Sequence, residues 1–168
     1  MLQTLQKRKS EGFTIIEVLI VLAIAGLIMV VVFLAVPALQ RSGRNNAMNT
    51  NANNILTAVG NYSSDNGGTL PAALAATAPS GGSVTIGASG TNQATAKVDT
   101  GLKTLQIDDG TTPITSASAL GVVEVVTGTK AVCNATGTGL SGTGSPRSYA
   151  VLYIAESGSG NIVKCIGA

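Results

Sequence analysis

Glu17 stands at the threshold of an apolar run, in GFTIIEVLIVLAIAGLIMVVVFLAV, residues 12–36. A carboxylate at membrane depth is costly unless it is paired. Hydrolysis of the Gly12–Phe13 bond would supply the partner. The cut leaves an α-amino group on Phe13, one helical turn from Glu17 and within reach of the Glu17 of a neighbouring chain. Pairing between chains would set their axial register, so the acid becomes a device for assembly.

A second chemistry is offered by Cys133 and Cys165. In a chain exported beyond the cytoplasm two such cysteines point to a disulfide; the other reading is two buried thiols. A bridge closing a loop of roughly 30 residues contributes about 3–4 kcal/mol on the chain-entropy model.

Catalytic residue types are otherwise scarce. There is no His, hence no Ser–His triad, imidazole metal site or Cys–His pair. No phosphate loop or CxxC is present. Asp108, Asp109 and Gly110 could join a calcium site through hard oxygen ligands, but they read first as a solvated turn between strands. Asp65 and Asn66 read as a helix-ending turn. Lys97, Lys103, Lys130 and Lys164 are scattered as solvated charges. Metal and catalytic residues are therefore expected to be none.

Composition agrees with a non-enzymatic role. Charged residues make up 11% of the 168, against about 25% in average soluble chains. The formal charge of +2 resides in residues 1–12, with Lys7, Arg8, Lys9 and Glu11. The rest is balanced, so it carries no footprint for nucleic acid or for an anionic membrane surface.

These residues need elements to position them. Residues 18–36 hold no charge and, as a helix, are long enough to span a bilayer. Lys7, Arg8 and Lys9 ahead of them place the N-terminus in the cytoplasm; Arg41 and Arg44 beyond the far end weaken that signal. No small-residue cleavage site follows Val36, whereas a polar-to-apolar boundary falls at Gly12–Phe13. After Pro37 the pattern turns amphipathic: Ala47, Met48, Ala52, Ile55, Leu56, Val59 and Tyr62 recur at helical steps. NTNANN and Gly43 are weak points where the helix is expected to fray or bend, and SSDNGGTLP should end it. PAALAATAPSGGS reads as a connection with one short helical turn. SVTIGA, LKTLQI, GVVEVVTG, KAVCNA, SYAVLYIAE and NIVKCIG read as strands, the last two joined by a hairpin at SGSG. TGTGLSGTGSPR reads as a flexible low-complexity loop. The expected fold is α+β: a long N-terminal helix, half membrane-spanning and half amphipathic, packed on a C-terminal antiparallel sheet of about four or five strands.

The stretch GFTIIEVLIVLAIAGLI resembles the cleavage and methylation motif of type IV prepilins. Gly12 matches the glycine before the cut, and Phe13 the residue that becomes the N-methylated mature N-terminus. Thr14, Ile15 and Ile16 fill the spacer. Glu17 matches the assembly glutamate, fifth in the mature chain. The short basic leader is that of class a pilins. Gly26 falls where the family has a glycine and Pro37 a few residues after the usual proline; the helix between such residues can melt as subunits pack. Cys133 and Cys165 resemble the pair that bounds an exposed C-terminal region.

The resemblance covers about the first third of the chain. It implies a cleaved leader, residues 1–12; an assembly helix, 13–39; an amphipathic helix, 40–66; and a pilin-like head, 67–168, with a disulfide-bounded region, 133–165. It implies no cofactor, and as partners other copies of the chain in a helical homopolymer, a prepilin peptidase and N-methyltransferase, an assembly platform with minor pilins, and the inner membrane before assembly. The implied protein is single-pass with a cytoplasmic N-terminus, then part of an extracellular pilus filament, as its major pilin, serving adhesion, surface motility or DNA uptake. The motif is shared with pseudopilins of type II secretion and competence systems, which form the alternative. The cysteine pair, and few acids around it, favour a pilin. A membrane-anchored enzyme or solute-binding head is a third reading, in which Glu17→Ala would leave activity intact.

Overall fold

The computed structural model describes residues 12–72, 74–88 and 92–167. The basic leader residues Lys7, Arg8 and Lys9, and Glu11, lie outside them. The chain divides into two compact units, Met1–Leu39 and Gln40–Ala168.

In the first unit, helix α1 (Ile15–Asp65) begins. Its large apolar side chains, Ile15 through Leu39, stand exposed. Its most apolar window of 18 residues has a mean hydropathy of 3.3 with none of it buried, so the helix is long and apolar enough to cross a membrane. It runs through Gly26 and Pro37 without interruption. Membrane helices tolerate both residues because the freed backbone groups are satisfied locally.

In the second unit, α1 buries Met48, Asn51, Ala52, Ile55, Ala58, Val59 and Tyr62. Spaced at three and four, they make one face. Ala47 and Leu56, expected on that face, sit at its half-buried margins. The asparagine-rich patch does not fray. Asn49, Asn51 and Asn54 of the patch, and Asn45 just ahead of it, make tertiary hydrogen bonds that outweigh a poor intrinsic propensity. Asn45 donates to the Glu156 carbonyl at 2.8 Å and accepts the Glu156 N–H at 2.7 Å. Asn49 donates to the Tyr153 hydroxyl at 3.0 Å, Asn54 to the Lys97 carbonyl at 2.9 Å, and Asn51 accepts the Asp99 N–H at 2.8 Å. The helix ends at Asp65, within the stretch expected to stop it.

Against this face lies a five-stranded sheet, order β1-β4-β5-β6-β7. Its strands are β1 (Leu74–Thr77), β4 (Thr104–Asp108), β5 (Val122–Thr127), β6 (Tyr149–Ser157) and β7 (Gly160–Gly167). A separate pair joins β2 (Ser83–Ile86) to β3 (Ala94–Lys97). The sheet is mixed, not wholly antiparallel as expected, because β4 and β5 run parallel, with Gln106 opposite Glu124. Parallel neighbours need a crossover of about a dozen residues or more, and residues 109–121 supply it. KAVCNA is not a strand; Cys133 makes one isolated bridge, to Leu140. A strand, β1, occupies the segment read as a small-residue connection, and β3 was not anticipated.

The two faces of the sheet differ. Leu105, Ile107, Val123, Val125, Val151 and Tyr153 share a core with Ile55 and Val59 of α1. On the other face Val126, Ala150, Leu152, Ile154 and Cys165 pack under Ile114 and Ala131, which come from the connecting segments.

Candidate processing and assembly site

Gly12, Phe13 and Thr14 precede the first turn of α1. A Cβ added at Gly12 would meet nothing within 4 Å, and Phe13 is 87% exposed. Among the described residues the Gly12–Phe13 junction is thus exposed. Thr14 caps the helix. Its hydroxyl accepts the Glu17 N–H at 3.3 Å, while the Glu17 carboxylate accepts the Thr14 N–H at 2.8 Å and the Thr14 hydroxyl at 2.7 Å. This is a reciprocal capping box, Thr-x-x-Glu, which satisfies two of the free donors of a helix start. It turns Glu17 back over the peptide that Phe13 forms with Thr14. A cation created on Phe13 would therefore find an oriented carboxylate one turn away. Thr14 falls in the spacer of the motif, and its Thr-x-x-Glu spacing is the sequence signal for this box.

Gly26 and Pro37 are exposed along the same helix. Cys133 and Cys165 lie in the second unit, joined by a disulfide with a Cα–Cα distance of 5.6 Å, inside the usual range for such bonds. The loop this bridge closes is more ordered than its composition suggests. Cys165 N–H donates to the Gly137 carbonyl at 2.8 Å, Ser141 N–H to Val132 at 2.7 Å, and Gly144 N–H to Thr129 at 2.7 Å.

The remaining candidates are local. Asp108 accepts the Gly110 N–H at 2.5 Å, and Asp109 accepts the Thr111 N–H at 3.0 Å and its hydroxyl; both are turn-forming contacts. Asn66 donates to the Tyr62 and Asn92 carbonyls at 2.8 and 2.9 Å. Among the described residues no group of three or more His, Cys, Asp or Glu gathers to hold a metal. Lys97 lies on β3 and Lys164 on β7, with Lys103 and Lys130 in connecting segments.

Two charged features escaped the sequence reading. Arg44 makes a bidentate contact with Glu156, at 2.5 and 2.7 Å, and its guanidinium holds the Glu156 carboxyl below the usual carboxylate range. Glu124, in the middle of the apolar strand β5, is wholly buried. The signal for it was one acid inside the β-branched run VVEVV.

No curated protein and no solved structure matches the chain. Residues 7–33 match the family model described as the prokaryotic N-terminal methylation motif. Those residues take in Gly12, Phe13, Glu17 and Gly26, so the chain carries the type IV prepilin signature, that of pilin-like and pseudopilin proteins, on an N-terminal apolar helix.

Proposed function

We propose that this chain is the major structural subunit of an extracellular type IV pilus. The observation that carries the reading is the Glu17 carboxylate held on Thr14 directly behind the exposed Gly12–Phe13 junction, at the head of a helix whose apolar side chains are exposed. Before use the helix rests in the inner membrane with its N-terminus in the cytoplasm. A prepilin peptidase removes residues 1–12 and an N-methyltransferase modifies Phe13. The assembly platform then extracts the subunit, and apolar helices bury against one another instead of lipid. Glu17 meets the Phe13 amine, which sets the register. The segment between Gly26 and Pro37 is where the helix would yield during packing. The heads form the outer wall, tied at their C-terminal end by Cys133–Cys165, and the filament serves adhesion, surface motility or DNA uptake.

The same motif supports a pseudopilin of a secretion or competence system, which would build a short periplasmic filament. Intact mass and N-terminal sequence of material sheared from cells separate the two. A chain starting at methylated Phe13, abundant in sheared filaments and two hydrogens lighter than its reduced form, is expected for the pilin. A processed chain absent from sheared material would favour the pseudopilin. An intact Met1 leader in the membrane would overturn both.

A further inference from the structure

The crossover of residues 109–121 lies over a buried acid. Ile114 enters the core of the face away from α1, and its N–H donates to Glu124 Oε2 at 2.6 Å. Glu124 is 0% exposed, yet among the described residues no N–H or O–H donates to its Oε1. The crossover is closely seated at both ends. Gly110 has φ +75°, and a Cβ there would lie 2.8 Å from Val126 Cγ1; Gly121 has φ +87°, and a Cβ there would lie 2.7 Å from the Gly101 carbonyl.

Among the described residues, the groups around Glu124 offer it no cation. On β4 stands Asp108, whose charge and hydrogen bonding oppose ionisation of Glu124. Asp109, on the crossover, is engaged with Thr111. β6 and β7 contribute Ala150, Leu152, Ile154, Val163 and Cys165 to this face. Lys130 lays its stem near Gly110. A buried carboxylate without a counter-ion is stable only when protonated.

We propose that Glu124 is a proton-gated latch for the 109–121 crossover: neutral Glu124 lets Ile114 seat against β5, and ionised Glu124 draws in water and releases the crossover. Burial, with Asp108, pushes the Glu124 carboxyl up to about 7 against the Ile114 N–H, which favours the ionised form, so the gate lies near neutrality. This goes beyond the filament reading and does not depend on it.

Hydrogen exchange of the full chain in detergent micelles tests the latch, read by mass spectrometry at about pH 5.5 and about pH 8.5 and normalised to intrinsic exchange. Protection of residues 109–121 is expected to fall about tenfold or more at the higher pH, and further than that of β6 and β7, which follows the global stability. In Glu124→Gln the fall should disappear. Unchanged protection of 109–121 in the wild-type chain would overturn the proposal whether or not the variant folds. So would an equal fall in Glu124→Gln, or a parallel loss in β6 and β7, which would mark global unfolding.

Discussion

Glu17 holds two roles that its position alone does not separate. It closes the capping box with Thr14, and it offers a charge to an amine on Phe13. Glutamine serves the first role, since Gln at the third helical position completes a capping box as Glu does, but it cannot serve the second. Glu17→Gln should therefore keep membrane insertion and processing while filaments are lost, as judged by the protein in sheared and membrane fractions. Filaments at wild-type abundance in Glu17→Gln would mean that the cap, and not the charge, is what assembly needs. The contrast with Glu124 shows what sequence reveals at this scale. Glu17 announced itself because its neighbours are uniformly apolar and its spacing from Gly12 is a motif. Glu124 has apolar neighbours too, but half-buried strands often carry one polar residue toward solvent. The path of residues 109–121 over β5 helps to bury it.

At the scale of elements, α1 was legible from its apolar run and from the recurrence of Met48, Ala52, Ile55, Val59 and Tyr62. β6 was legible from its run of Val, Leu, Tyr and Ile, which lies between β5 and β7 and is buried. What propensity misjudged was NTNANN, held by Asn49, Asn51 and Asn54, with Asn45 just ahead of it. The pairing of β5 with β6 stops at Tyr153, and further along β6 the Asn45 amide takes both backbone groups of Glu156, as a neighbouring strand would. The direction of β5 was hidden for a related reason: a crossover and a long hairpin loop look alike when composition is all that is known. Asn45→Ala should cost about 1–3 kcal/mol, because it strands two backbone groups. Asn53, exposed and bonded through its amide only to Asn49, is the control. Asn53→Ala should be neutral to within about 0.5 kcal/mol or slightly stabilising, since Ala is the better helix former. Denaturant midpoints of the two variants check both values; equal midpoints would mean that the Asn45 amide does not hold α1 to β6.

At the scale of the whole molecule, the pH dependence of stability follows from two carboxyls that pull in opposite directions. Glu156, held below its ordinary range by Arg44, contributes stability that is present above its unfolded value and is lost as pH falls through its folded one. Glu124 is raised from an ordinary 4.5 to about 7. Its protonated form is preferred in the fold, so its contribution is complete below about 4.5 and is lost as pH rises through about 7. A shift of that size corresponds to about 3 kcal/mol, larger than the median worth of an exposed ion pair. The chain should thus lose stability between about pH 4.5 and about pH 7 and stay at the lower level above that. The three tyrosines, Tyr62, Tyr149 and Tyr153, all lie in the second unit, and there is no Trp. Tyrosine fluorescence of the full chain in detergent therefore reports unfolding of that unit. Urea titrations across the range should show the midpoint falling between about pH 5 and about pH 8, with the fall absent in Glu124→Gln. A midpoint that rises over the same interval would mean that Glu124 is ionised in the native fold, and that a cation the fold gathers around it outweighs its burial.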